Sequence, residues 1–182
     1  MAETKWLSDP MHSELQFKIK HLMISNVSGS LKNFQVEVET KDEDFSTARI
    51  YMSAQMDSIS TNNEQRDIHL RNSDFFEVEK YPELKFKSTK VEKEDEDTFI
   101  LRGELTMKGV TKPVKLNVEF NGSTKDPWGG ERAGFLITGK INRTDWGMNF
   151  NSALETGGVM LGEEVRISSE IQLVKQGIGV PA

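Results

Sequence analysis

Apolar and polar residues alternate one for one along most of the chain, and a helical rhythm replaces that alternation once. Period-two alternation puts successive side chains on opposite faces, so each run reads as a strand with one face on a core and one in water. Leu15, Phe17, Ile19 and His21 share a face against Glu14, Gln16, Lys18 and Lys20. The pattern returns at Phe34, Val36 and Val38, then at Ala48, Ile50, Met52, Ala54 and Met56. Leu84 and Phe86 reopen it, and Phe99, Leu101, Gly103, Leu105 and Met107 form the return strand. Val114 to Phe120, Phe135 to Ile141 and Val165 to Leu173 complete the set. Turn signals separate the runs: Asp42-Glu43-Asp44, the acidic stretch Glu92 to Asp97, Lys108-Gly109, and Asp126-Pro127-Trp128-Gly129-Gly130. A long irregular segment, about Thr144 to Gly162, precedes the last strand.

Roughly eight strands predict an all-β, eight-stranded antiparallel up-and-down barrel of lipocalin-like form, because closure pairs every strand on both sides and leaves no edge. The length, 182 residues, fits a single domain over 1–182. A barrel of that size is filled by its own side chains or holds one small ligand. On the inward face Ala48, Ala54, Ser58, Ser88, Gly103, Gly139 and Ser169 interleave with Phe17, Phe34, Phe86, Phe120 and Phe135, and the small residues predict room. Strands of about ten residues, tilted by about 40°, enclose a tube on the order of 25 Å long, a shape suited to a long, thin, apolar guest.

The helical excursion falls at about 61–78. Thr61 and Glu64 form a T-x-x-E capping box, Ser73 offers a second N-cap, and Tyr81-Pro82 ends the irregular region. So short a helix needs an apolar surface to lie on; Ile68 falls on one side of it, and the aromatic pair Phe75 and Phe76 is the expected attachment. Phe75 and Phe76 read as a hydrophobic lid or plug. Arg66, Asp67, Arg71 and Asp74 read either as ion pairs fixing the insertion to the barrel rim or as a polar rim for a head group. Arg143, Asp145 and Trp146 read as a corner that fixes the long loop.

Charge and motifs exclude several functions. A net charge of −6 with scattered Lys and Arg offers no concentrated basic face for nucleic acid or anionic membrane. With no cysteine there is no disulfide, thiol nucleophile or thiolate metal site. His12, His21 and His69 lack metal-ligand spacing, so neither metal nor cofactor is expected. No G-x-S-x-G elbow, P-loop or G-x-G-x-x-G occurs, so the chain is not expected to be an enzyme. His21, in phase with Leu15 to Ile19, either donates to a head group or bonds a backbone carbonyl. No apolar run is long enough for a membrane span. The expected compartment is cytoplasmic as the chain is written, and periplasmic if a leader has been removed.

The block S-I-S-T-N-N-x-x-R-D-x-H-L-R-N-x-D-F-F-x-V-x-K-Y-P, from Ser58 to Pro82, closely resembles the central signature of the YceI-like proteins, lipocalin-like barrels that bind polyisoprenoids and related lipids. Met11 to Leu22, Val27 to Leu31, Gly103 to Val114 and Arg143 to Met148 resemble further blocks of that family; Leu31 stands where an aromatic is expected. The resemblance implies a polyisoprenoid, isoprenoid quinone or other long-chain lipid as partner, bound for carriage, storage or sequestration, and a homodimer. The expected ligand-binding residues are Leu15, Phe17, Ile19, His21, Phe34, Val36, Ile50, Met52, Ala54, Phe75, Phe76, Phe86, Leu105, Phe120, Phe135, Ile137 and Trp146. Two other functions stay open at this point. One is an isomerase or hydrolase acting on a lipid in the tube, with His21 or His69 as base; the other is a filled barrel serving as a stress or interaction protein.

Overall fold

The computed structural model describes residues 3–22, 24–151 and 161–176. In chain order the strands are β1 (Glu3–Ser8), β2 (Glu14–His21), β3 (Ser25–Leu31), β4 (Phe34–Lys41), β5 (Asp44–Gln55) and β6 (Ile59–Ser60); α1 (Glu64–Arg71) follows. Then come β7 (Glu83–Lys93), β8 (Thr98–Met107), β9 (Val110–Lys125), β10 (Glu131–Asn142) and β11 (Leu161–Lys175). From β4 through β5, β7, β8, β9 and β10 to β11, neighbours pair antiparallel. β11 then meets β2 along Leu161 to Glu170 and β1 along Leu173 to Lys175, which closes the ring. β1 and β2 are thus two halves of one stave, and β3 and β4, which pair with them, are two halves of the next. Counted as staves the barrel has the eight strands that the alternation predicts. Register shifts between Glu39 and Lys41, Ser88 and Lys90, Gly134 and Phe135, and Leu161 and Val165 bend the staves into the closed curve. Among the described residues no helix is long and apolar enough to cross a membrane.

The strand β1 is an addition to the sequence reading. It brings one large apolar side chain inward: Trp6 is 2% exposed and its Nε1 donates to Thr40 Oγ1 at 3.3 Å. The alternation around it is too short, and too soon cut off by Asp9-Pro10, to register as a strand. Asp9 stitches the break between β1 and β2. Its Oδ2 accepts from Arg132 Nη1 at 2.7 Å and lies 2.9 Å from His12 Nδ1, while Oδ1 accepts from Met11 N. Arg132 also donates to Asp126 Oδ2 and Gln172 Oε1, tying the break to β11 and to the turn before β10.

The insertion is shorter than predicted, and its cap is different. Asn63, not Thr61, is the N-cap of α1, its Oδ1 accepting from Arg66 N at 3.0 Å. Thr61 sits too far ahead: its N–H and hydroxyl both donate to the buried Asp67 carboxylate, at 2.9 and 2.5 Å. After Arg71 the chain runs in turns to Pro82. Phe75 is buried and Phe76 packs against the core, as the expected attachment requires; Leu70 of α1 joins them, while Ile68 is 55% exposed. The expected ion pairs among Arg66, Asp67, Arg71 and Asp74 are replaced by the Thr61 network and a His69–Asp74 pair at 2.8 Å.

Bonds from His12, from Arg132 and from the Met11 N–H lower the Asp9 carboxyl from 3.8 to about 2. A depressed carboxylate stabilises the fold above its unfolded pKa, and that contribution is lost as pH falls through the folded one. Asp9→Asn should therefore be less stable than the parent near neutral pH, and the gap should close between about pH 4 and pH 2. Denaturant melts across that range check it; a gap independent of pH would contradict it.

Candidate binding cavity

A closed ring of eight staves is wide enough that inward side chains do not everywhere meet. What remains is a cavity of about 350 Å³, within the range of small-molecule sites. Its lining reaches from Val38, Phe45 and Leu173 at one end of the barrel to His21, His69, Phe75 and Phe150 at the other.

Alternation within each strand delivers the wall. β2 contributes Leu15, Phe17, Ile19 and His21; β4 contributes Phe34 and Val36; β5 contributes Ile50 and Met52. Phe86 comes from β7, Leu105 from β8, and Phe135 and Ile137 from β10, while Phe75 and Phe76 come from the turns after α1. All of these were expected to face a ligand, and all line the cavity.

Three expected residues do not. Ala54 is 0% exposed, paired with Phe34 and Leu84 and clustered with Met56 and Phe86, so its methyl group is covered by larger side chains that themselves line the cavity. Phe120 belongs to an aromatic plug: its ring centroid lies 5.9 Å from Phe45 and 5.3 Å from Phe135, and Trp6 lies 5.1 Å from Phe45. Trp146 is buried in a short 3₁₀ turn, Arg143–Trp146, with Nε1 donating to the Leu105 carbonyl at 3.0 Å. It braces the loop after β10 and does not face the cavity. Several small residues also do other work than leaving room. Gly103 lies under the Phe86 ring, and Gly29 under that of Phe17, where a Cβ would collide with either ring. Ser88 accepts the Ile50 N–H, and Ser58 holds the turn after β5.

Polar groups gather at the end carrying α1. Arg66 donates through Nε to Thr61 Oγ1 and through Nη2 to the Thr61 carbonyl, both at 2.8 Å. The rings of His69, Phe75 and Phe150 meet edge to face, with centroids 4.8 to 5.3 Å apart, and form the lid. Arg143 is 3% exposed, and its guanidinium donates to the carbonyls of Gly162, Met148, Phe150 and Leu161. Burial pushes its pKa below the usual arginine value, with Glu163 acting the other way. The expected loop corner is thus built by Arg143 and Trp146, and the rest of the long irregular segment, 152–160, lies outside the described residues. Among the described residues no three His, Cys, Asp or Glu side chains cluster as a metal ion would need.

The lining also includes Phe45, Leu70, Phe99, Phe150 and Leu161, which sequence reasoning did not single out for the site. Phe45 is out of phase with Ala48 to Met56 because the register slips opposite Thr40. Leu70 was legible as the apolar neighbour of His69 in α1. Phe150 carries no periodic signal.

A hollow, apolar, antiparallel barrel, plugged by aromatic rings at one end and lidded by a short insertion at the other, defines a lipocalin-like cavity protein. The chain belongs to the YceI-like family: the model of the YceI-like domain matches residues 6–173. A UPF0312 protein of Staphylococcus aureus strain N315 is 43% identical over 170 residues, covering 93% of this chain and 96% of its own. A YceI protein of Campylobacter jejuni superposes with a TM-score of 0.75 at 31% identity, over 88% of this chain and 91% of that one. A polyisoprenoid binding domain from Saccharophagus degradans shares the fold, with a TM-score of 0.63 at 13% identity over 92% and 97% of the two chains.

The contrast between a covered and an open position on the barrel's inner face is measurable. Ala54→Phe forces a ring into packed surroundings and should cost about 1–3 kcal/mol in ligand-free stability. Val165→Phe, on the cavity wall between Ile19 and Ile141, should cost less than about 1 kcal/mol because the ring enters open volume. Denaturant melts of both delipidated variants check this; equal costs would contradict the division.

Proposed function

We propose that the protein binds a long apolar lipid, a polyisoprenoid or isoprenoid quinone, inside the barrel and carries, stores or sequesters it without transforming it. The observation that carries this reading is the cavity itself: a lengthwise space walled by Leu, Ile, Val, Met and Phe, with its polar side chains mostly at one end. A long chain in that space would gain about 0.8 kcal/mol for each buried CH₂, and the polar end would fix its orientation. The polyisoprenoid binding of the Saccharophagus degradans domain supports the reading as an architectural parallel.

The catalytic alternative has a candidate base in His69, whose Nε2 meets Asp74 at 2.8 Å. Among the described residues no hydroxyl is hydrogen-bonded to that imidazole, and the described hydrogen bonds of the Thr61 hydroxyl go to Arg66 and Asp67. The protein is read as a binder.

Protein purified from cells without detergent should release a hydrophobic compound on organic extraction, detected by mass spectrometry, and the delipidated protein should take up added prenol or quinone. Recovery of no lipid together with no uptake would contradict the proposal. His69→Gln and wild type should return an added lipid chemically unchanged. Conversion by wild type that stops in His69→Gln would establish an enzyme instead.

A further inference from the structure

The cavity's cationic and anionic residues are unevenly distributed. Arg66 and Arg143 line it, and among the described residues no Asp or Glu does, although the chain as a whole carries a net charge of −6. The two arginines are not equivalent. Arg143 has four backbone carbonyls as partners and serves the loop. Arg66 spends Nε and one Nη2 hydrogen on Thr61 and makes no ion pair among the described residues. The nearest acid in that network, Asp67, stands behind Thr61, receiving its N–H and hydroxyl, and does not line the cavity. The guanidinium is therefore tethered to Thr61 through Nε and Nη2, and its Nη1 has no protein partner among the described residues.

We propose that the cavity selects an amphiphile with an anionic head group, a carboxylate or a phosphate, and that Arg66 is the residue that reads its charge. This rests on the lipid-binding reading above and narrows it. A cation beside an apolar space loses hydration, and an anion restores more of that loss than a neutral oxygen can. A guanidinium also matches carboxylate or phosphate oxygens in pairs, and the Thr61 tether holds Arg66 ready for that geometry. An alcohol or quinone leaves the charge uncompensated.

The test uses farnesol, farnesoic acid and farnesyl monophosphate, which share one chain and differ in head group. Titration calorimetry on delipidated protein should give affinities for the acid and the monophosphate about tenfold or more above that for the alcohol. Arg66→Gln should bring both down to the level of the alcohol and leave the alcohol within about twofold, while Arg66→Lys keeps part of the preference. Added salt should weaken the two anions and spare the alcohol. Whichever anion binds tighter assigns the source, lipid phosphate or carboxylic acid. Equal binding of acid and alcohol by wild type, or an equal loss of both in Arg66→Gln with the fold intact by circular dichroism, would overturn this inference alone. Binding of none of the three would overturn the lipid-binding reading as well.

Discussion

The structure depends on the seam where β11 meets β1 and β2. A sheet of this many strands would otherwise end in two rows of unpaired N–H and C=O groups, a site for association with other chains. Pairing Val165 with Ile19 and Val174 with Leu7 removes both edges at once and fixes the circumference. The fixed circumference decides the interior, because side chains rooted on opposite walls of eight staves meet where they are large and fall short where they are not. Arg132 holds the seam at its weakest place, the break between β1 and β2, through Asp9 and Gln172.

Two levels of the barrel solve the packing problem differently. At the plugged end Trp6, Phe45, Phe120 and Phe135 meet ring to ring and leave little space. Along the tube the lining side chains surround a cavity of about 350 Å³. Open apolar volume forfeits dispersion contacts and lowers stability. A bound chain returns them, so ligand and fold are linked: whatever fills the tube also stabilises the barrel. The lid joins His69, on a helix too short to hold itself and fixed by the buried Asp67–Thr61 bonds, to Phe75 in the turns after it and Phe150 in the loop after β10.

Much of this was legible in the sequence because strand faces are a period-two property. Leu15, Phe17, Ile19 and His21 could be assigned to one wall without any knowledge of their partners. Depth along the barrel axis was not legible, since alternation says which way a side chain points and nothing about what stands opposite. Ala54 and Phe120 point inward as expected, yet one is covered by larger neighbours and the other lies in the plug. Register slips hid Phe45, and Gly103 misled because a small residue can house a neighbour's ring as readily as a ligand. The helix cap was misplaced by two residues, since a Thr61 hydroxyl engaged by Asp67 has the same sequence signature as one that caps.

The central claim is that the space along the axis takes a single extended apolar chain. A crystal structure of the protein saturated with a long-chain prenol tests it most directly. The account predicts one continuous ribbon of electron density running from beside Arg66 and His69 down to Phe45 and Leu173, with the surrounding strands unmoved. An empty or collapsed interior in crystals grown with the prenol in excess, or density confined to the outer surface, would contradict it.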